Sequence, residues 1–294
     1  MKRGGILDNI SGPGCEVVIP LNEPKPLEEI ERSIIKKYRK HLWSKFMMAV
    51  KDFKLVEEGD KIAVAISGGK DSVLMAKLFQ ELQRHGDVKF DLEFIVADPG
   101  YHEHIKKLMI ENCEYLDIPI KIFDSDIFRI IDKIAKDYPC YMCAKMRRGA
   151  LYSKAQELGC NKLALGHHFN DVIETTMMNI LYTGCFKTML PKLKSTNFKG
   201  LELIRPMYYI EEKYIVRYTQ NSGIQPLNCA CMVAAKRTGN KRYEIKDLIE
   251  ELSSKIENLG INIFRSAQNV NMESILGWQK DGKSYSYLDF YNEE

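Results

Sequence analysis

The sequence predicts an α/β protein with a doubly wound, mostly parallel sheet that carries helices on both faces. Short, continuous apolar runs are the first indication, because they are typical of strands buried on both sides. Amphipathic helical patterns separate these runs, and this alternation favours parallel strands joined by crossover helices. Finally, 294 residues with 45% hydrophobic content are enough for one large core.

The individual elements are predicted from the spacing of apolar residues. A basic helix begins near Leu27 and continues through Val50. The strands that follow are 62–66, 92–97, 120–123, 162–165 and one that ends at Ile204. The helices are 73–82, 103–115, 126–136, 144–157 and 171–182. The chain thus divides into an irregular extension (1–26), the basic helix (27–56), the α/β domain (57–225) and a C-terminal segment with late cysteines and a helix (226–294).

Composition and charge limit the functional classes. No apolar run approaches the roughly 18 residues of a membrane span, and the N-terminus lacks the apolar stretch of a secretory signal, so we expect a cytoplasmic protein with no membrane contact. The net charge is only +3, but basic residues concentrate over 32–54, 187–199 and 236–242. A solvated surface explains any one cluster, whereas three together favour a polyanionic partner such as RNA.

A short polar loop follows the first buried strand and precedes a helix. Its sequence is Ser67-Gly68-Gly69-Lys70-Asp71-Ser72. The glycines allow backbone amides to approach a phosphate at a helix N-terminus, and Lys70 adds a positive charge. Asp71 can hold Mg²⁺ against the phosphates. A Walker A loop is excluded, because Val64 stands where that motif requires Gly and Asp71 stands where it requires Ser or Thr.

This loop resembles the PP-loop of the ATP pyrophosphatase superfamily, which includes GMP synthetase, NAD synthetase, lysidine synthetase and tRNA thiolases. Those enzymes cleave ATP between the α- and β-phosphates and form an adenylate that a nucleophile displaces. Two further segments resemble signature segments of the superfamily: Gly166-His167-His168-Phe169-Asn170-Asp171 and Ile204-Arg205-Pro206. The resemblance implies that Gly166, His167, Asp171 and Arg205 contact the nucleotide, with Asp98 near the adenosine.

The cysteines are informative through their spacing. Cys140 and Cys143 form a C-x-x-C, and Cys229 and Cys231 form a C-x-C. Four thiolates could close a structural zinc site, a thiol pair could carry a persulfide, and three thiolates could hold a [4Fe–4S] cluster with one iron open. The residues alone leave these alternatives open.

A second resemblance, to the tRNA 2-thiocytidine synthetase family, covers about residues 30–278. It rests on the string C-x-x-C-x-x-x-R-R-G that begins at Cys140, on the later signature segments and on a late cysteine. The resemblance implies a [4Fe–4S] cluster held by Cys140, Cys143 and Cys229. Cys231 is a rival for the third position, because the late pair of the family is C-x-x-C whereas this chain has C-x-C.

The activity implied by this resemblance is ATP- and Mg²⁺-dependent thiolation of a tRNA cytidine, at position 32 of the anticodon loop. Lys70, Asp71 and Asp171 are the expected catalytic residues. The C2 oxygen of the base would attack the α-phosphate of ATP, and sulfur carried on the cluster would then replace AMP. The expected partners are tRNA, a sulfur donor such as a cysteine desulfurase, and a second copy of the chain in a homodimer.

Two alternative functions are compatible with the same residues. One is a PP-loop thiolase that acts on a different RNA base or on a small molecule. The other is a zinc-containing protein that binds nucleotide and RNA without catalysis.

Overall fold

The computed structural model describes residues 23–125, 139–227 and 241–291, and the side chains of 139–144 are outside this description. Within these ranges, the helices are α1 (Leu27–Ile35), α2 (Trp43–Asp52), α3 (Lys70–His85), α4 (Glu103–Tyr115), α5 (Pro139–Glu157), α6 (Phe169–Thr183), α7 (Glu212–Ser222), α8 (Lys241–Ser253) and α9 (Leu259–Ser266). The strands are β1 (Lys61–Ala65), β2 (Asp91–Asp98), β3 (Ile120–Asp124), β4 (Lys162–Ala164), β5 (Lys192–Lys194), β6 (Glu202–Ile204), β7 (Gly277–Lys280) and β8 (Lys283–Ser286).

The first six strands form one sheet in the order β3-β2-β1-β4-β6-β5. Every neighbouring pair is parallel except β5 and β6, which pair antiparallel at the edge. The strand order reverses on either side of β1, so the crevice outside its carboxyl end is where such sheets bind ligands. The predicted fold class is confirmed. The short edge strand β5 was expected to be part of a basic loop, since three residues with two lysines carry no strand signal.

Apolar side chains cover both faces of the sheet. Ile62 and Val64 of β1 point into one core, which also contains buried residues of α1, α2, α3 and α6. Ala63 and Ala65 point to the opposite face and pack with α5 in a second core. This alternation along one central strand explains why the sequence of β1 is apolar without a break.

The basic N-terminal helix, predicted as one element over 27–50, is divided into α1 and α2. The turns between them contain two widened hydrogen bonds, from Tyr38 N–H to Ser33 O (2.9 Å) and from Ser44 N–H to Arg39 O (2.8 Å). Each spans five residues instead of four, which is how a helix absorbs an extra residue. The interruption accompanies a contact in which the buried Tyr38 hydroxyl group donates to a main-chain carbonyl of α7 (3.2 Å).

The other predicted elements that fall within the described residues are present, several with shifted boundaries, whereas α7 and the β7–β8 pair were not predicted. α5 begins at Pro139, five residues earlier than expected, and proline is well suited to the first position of a helix. The C-x-x-C therefore lies inside the first turns of α5. The helix expected over 126–136 lies outside the described residues. In the part of the chain that the structure covers, no helix combines the length and apolar character needed to cross a bilayer.

Candidate active site

The phosphate loop, residues 67–72, connects β1 to α3 at the centre of the carboxyl edge of the sheet. The Ser72 hydroxyl group accepts from the Ser67 N–H (3.1 Å) and donates to the Gly69 carbonyl oxygen (2.9 Å), so the loop is held from within. Gly69 precedes α3 and supplies no side-chain cap. The first amides of α3 are therefore suited to binding an anion.

Two glycines allow other segments to pack against this loop. Gly68 has a φ of +78°, and a Cβ atom there would lie 2.7 Å from Leu227 Cδ1. The Leu227 N–H donates to the Gly68 carbonyl oxygen (2.9 Å). Gly166 approaches from the end of β4, where an added Cβ atom would lie 3.3 Å from the Asp71 carbonyl carbon. Both predicted glycines are thus points of close backbone approach.

Lys70 lies between two carboxylates. Its Nζ atom is 3.1 Å from Asp71 Oδ2 and 3.1 Å from Glu212 Oε1. Burial lowers the pKa of Lys70, but the two carboxylates outweigh burial and raise that pKa above its ordinary value. Lys70 is therefore a permanent positive charge at the mouth of the loop.

Glu212, in the first turn of α7, was not among the predicted site residues. Its second oxygen, Oε2, accepts a hydrogen bond from Lys246 of α8 at 2.7 Å. Burial raises the pKa of Glu212, but the Lys246 hydrogen bond and the charge of Lys70 lower it to about 2. The ionised Glu212 carboxylate consequently links the phosphate loop to α8.

The Asp71 carboxylate has spare bonding capacity. Oδ2 pairs with Lys70, whereas Oδ1 is buried and has no hydrogen-bond partner among the described residues. The His168 Nε2 atom is 3.8 Å from Oδ1, which is too far for a hydrogen bond. A buried carboxylate oxygen without a donor suits a hard cation such as Mg²⁺. No cluster of three metal-binding side chains occurs within the described ranges, so phosphate oxygens and water molecules would have to complete the coordination.

His167 and Arg205 come together from the ends of β4 and β6. Arg205 Nε donates to His167 Nδ1 at 3.2 Å, and the Arg205 guanidinium also donates to the Leu190 carbonyl oxygen. Burial lowers the pKa of His167 to about 3, so a neutral imidazole accepts this bond at neutral pH. Burial and the nearby Arg148 lower the pKa of Arg205 to about 10, which leaves it protonated. The pair is therefore a neutral acceptor bound to a buried cation.

Asp171 caps α6 and is held by a distant helix. Its Oδ2 atom accepts from the His168 N–H at 2.9 Å, and its Oδ1 atom is 3.1 Å from Arg242 Nη1 of α8. Burial raises the pKa of Asp171, but His168, His167 and Arg242 outweigh burial and hold it below the ordinary value. The predicted catalytic carboxylate is thus an ionised group with both oxygens bound.

Asp98 ends β2 and organises the loop that follows. Its Oδ1 atom accepts from the N–H groups of Gly100 (2.9 Å) and Tyr101 (2.8 Å), and its Oδ2 atom pairs with Lys106 (3.0 Å). These contacts give Asp98 a local structural role. A contact with adenosine stays a prediction.

The C-x-x-C helix is directed towards the same edge. α5 leads into β4 after a four-residue connection, and β4 runs parallel to β1. α5 therefore runs against the strands and begins near their carboxyl ends. Arg148, five residues after Cys143, is close enough to Arg205 and His167 for its charge to contribute to lowering both pKa values. Cys229 and Cys231 lie outside the described residues, so the structure does not choose between them.

In two of the basic clusters, one side chain forms ion pairs with carboxylates of the same chain. Arg242 binds Asp171, and Lys192 pairs with Glu202 (3.1 Å) and Glu57 (3.4 Å). The sequence groups these two side chains with candidate RNA-binding residues, and in the fold intramolecular carboxylates bind them; an RNA contact of either residue stays a prediction. The other described lysines of the middle cluster are exposed, namely Lys187, Lys194 and Lys199.

Comparison with known proteins matches residues 35–228 to a family described as a PP-loop domain. The chain is 35% identical over 230 residues to the tRNA-cytidine(32) 2-sulfurtransferase of Syntrophotalea carbinolica, which covers 78% of this chain and 88% of that protein. It is 34% identical over 244 residues to the enzyme of the same name from Geobacter metallireducens, with 82% and 93% coverage.

Among solved structures, the fold is similar to "U34-tRNA thiolase NcsA from Methanococcus maripaludis with its [4Fe-4S] cluster". The TM-score is 0.64 at 24% sequence identity, over 85% of this chain and 82% of that one, and this likeness concerns the fold alone. On the family match and the sequence relatives, the chain belongs to the PP-loop family and, within it, to the tRNA-cytidine(32) 2-sulfurtransferases.

Proposed function

We propose that this chain activates the C2 oxygen of cytidine 32 in a tRNA with ATP and replaces that oxygen with sulfur. The observation that carries the proposal is the common location of the phosphate loop and the start of the C-x-x-C helix at one edge of the sheet. Relatives that carry this name span most of the chain, and they support the same substrate.

The nucleotide half of the reaction depends on charges already fixed in the fold. The amides at the start of α3 and the Lys70 ammonium group would hold the phosphates, with Mg²⁺ on Asp71 Oδ1. The base oxygen then forms a bond to the α-phosphorus, and pyrophosphate leaves with the electrons of the broken P–O bond. Arg205 would stabilise the negative charge that develops at the α-phosphate, because preorganised cations in buried sites act without reorganisation.

The sulfur half requires the cysteines. Cys140 and Cys143 are three residues apart in the sequence, a spacing that would bring two thiolates to one side of a helix. Leu227, which bonds to Gly68, is two residues before Cys229, and two residues span at most about 7 Å. This thiolate set suits a [4Fe–4S] cluster, which when bound would offer an open iron position for sulfur. Cys231 is the alternative third ligand.

The tRNA is expected to bind through exposed cations. Lys187 follows α6, Lys194 ends β5 and Lys199 follows β5. The start of β5 lies next to Arg205, because the Arg205 N–H donates to the Pro191 carbonyl oxygen (2.9 Å). Phosphate contacts of this kind make binding fall steeply with salt. We also expect a cytoplasmic location, a cysteine desulfurase as the source of sulfur, and a homodimer.

The experiment uses the full chain, purified anaerobically and reconstituted with iron and sulfide. It is incubated with ATP, Mg²⁺ and unmodified tRNA, and the nucleosides are then analysed. We expect 2-thiocytidine at position 32, one AMP released per thiolation, and iron and sulfide in the protein. Thiolation of another base would instead indicate a different thiolase. Stoichiometric zinc without iron, together with no AMP release, would indicate the non-catalytic alternative.

A further inference from the structure

Two basic side chains on one face of α8 bind the acidic groups that surround the nucleotide site. Arg242 and Lys246 are four residues apart, so they point to the same side of the helix. Arg242 reaches two carboxylates of α6, and Lys246 reaches Glu212 of α7. α8 is itself anchored by the buried side chains of Ile245 and Ile249.

The Arg242 guanidinium makes three contacts with consecutive turns of α6. Nη1 is 3.1 Å from Asp171 Oδ1, Nε is 3.6 Å from Glu174 Oε2, and Nη2 donates to Thr175 Oγ1 at 3.1 Å. Asp171 and Glu174 are three residues apart on one helix face, and Glu174 is only 5% exposed. Without Arg242, two neighbouring carboxyl groups would lie without this cation beside a site that must accept the polyanion ATP.

We propose that Arg242 is a positioning residue of the ATP site, which orients Asp171 and neutralises the Asp171–Glu174 pair so that ATP can bind. The inference rests on the proposed function only as far as ATP binding. It does not depend on the transfer of sulfur.

The charges around Glu174 provide a specific signature. Burial is the main reason why the pKa of Glu174 is raised to about 7; the charges of Asp171 and Glu212 also raise this pKa, whereas Arg242 and Lys246 lower it. Removing Arg242 would therefore leave a carboxyl group that ionises only at higher pH and repels ATP once it has ionised. A role limited to stability would not produce that pH dependence.

The test is calorimetric binding of ATP with Mg²⁺ to the full chain between about pH 6 and pH 9. We expect Arg242→Ala to weaken binding about tenfold or more at the alkaline end and less at the acidic end. Arg242→Ala combined with Glu174→Gln should recover much of the affinity and lose the pH dependence. Lys255→Ala is the matched control, because Lys255 follows α8 and pairs with Glu251 on the surface; it should bind ATP normally.

Arg242→Lys keeps the charge and protects the test against misfolding of the alanine variant. It should bind ATP with intermediate affinity, because a single ammonium group cannot hold both carboxylates as the planar guanidinium does. ATP affinity equal to wild type in both Arg242 variants, or no recovery with Glu174→Gln, would overturn the inference. If wild type binds ATP but makes no thiolated base, the proposed function fails while this inference stands.

Discussion

The two edges of the six-stranded sheet both contain buried charges, but the amino edge satisfies them more completely than the carboxyl edge. At the amino edge, the Lys162 ammonium group is 2.6 Å from Asp60 Oδ2 and 3.1 Å from Glu57 Oε2. The other Asp60 oxygen accepts from Asn161 Nδ2 at 2.7 Å. Because each buried charge has partners, the fold itself offsets the cost of removing it from water.

At the carboxyl edge, Asp71 Oδ1 and His168 Nδ1 are buried without a hydrogen-bond partner among the described residues. Leaving such an atom unpaired costs about 1–3 kcal/mol. That cost is understandable where a ligand completes the bonding, and the phosphate loop is such a place. Spare bonding capacity, rather than buried charge, therefore distinguishes the phosphate-loop site from the cluster of Lys162, Asp60 and Glu57 at the amino edge.

The largest expected effect tests the amino edge. Lys162→Met would leave Asp60 as a buried carboxylate without its cation, so we expect the free energy of unfolding to fall by about 3–5 kcal/mol in urea titrations. Lys192→Met is the matched control, because Lys192 also pairs with a carboxylate but is a quarter exposed. Its loss should stay near 1 kcal/mol. Equal losses for the two variants would show that burial of the Lys162–Asp60 pair adds nothing to its contribution to stability.

The next effect tests the carboxyl edge. Asp71→Asn keeps the shape of the side chain but removes the charge available to Mg²⁺, so AMP formation with tRNA should fall by about a hundredfold or more. The free energy of unfolding should change by less than about 1 kcal/mol, since Oδ1 has no bond to lose and Lys70, which is a quarter exposed, keeps its pair with Glu212.

The exposed Asp87→Asn variant serves as the control and should retain normal AMP formation. If Asp71→Asn unfolded as readily as Lys162→Met, Asp71 would belong with the structural charges. Full activity of Asp71→Asn would argue against a metal role.

Much of the carboxyl edge could be predicted because parallel strands bring their ends together. Ser67 follows β1, Gly166 follows β4 and Arg205 follows β6, so recognising the strands was enough to group them. Local sequence carries this information, since each residue is adjacent to the strand that positions it.

The site residues that the sequence did not predict belong to helices distant in the chain from the strands of the site. Glu212, Lys246 and Arg242 belong to α7 and α8, and their partners lie between 34 and 142 residues away. A carboxylate in a first helical turn and two lysine or arginine residues near a basic cluster have ordinary surface explanations. Only packing of the two helices against α6 and the phosphate loop shows that these charges are paired.

A smaller effect concerns the close packing at the phosphate loop. Gly68→Ala and Gly59→Ala introduce the same backbone strain, because φ is +78° and +79°. An added Cβ atom at Gly59 meets nothing within 4 Å, whereas at Gly68 it meets Leu227 at 2.7 Å. We expect Gly68→Ala to cost about 1 kcal/mol more in unfolding, because the flexible Leu227 side chain can shift in part. It should also weaken ATP binding, whereas Gly59→Ala should not.

Equal unfolding losses for these two glycine variants would show that the Leu227 contact contributes nothing. Unchanged ATP affinity in Gly68→Ala would place the nucleotide away from this part of the loop. Either result would weaken the distinction between a structural edge and a ligand-binding edge.

The smallest effect is a pH dependence that only the carboxyl edge should show. The pKa of His167 is lowered by burial to about 3, against an ordinary value of 6.5, so the unfolded chain takes up a proton below pH 6.5 that the folded chain refuses. Stability should therefore decline as pH falls below 6.5 and should not depend on His167 above it.

His167→Gln retains an acceptor for Arg205 and cannot titrate, so near pH 6 it should remove about 1 kcal/mol of that decline. The exposed His104→Gln should leave the decline in place. If urea titrations gave parallel pH curves for wild type and His167→Gln, the imidazole would be accessible to protons in the folded state, and the carboxyl edge would be more hydrated than its burial indicates.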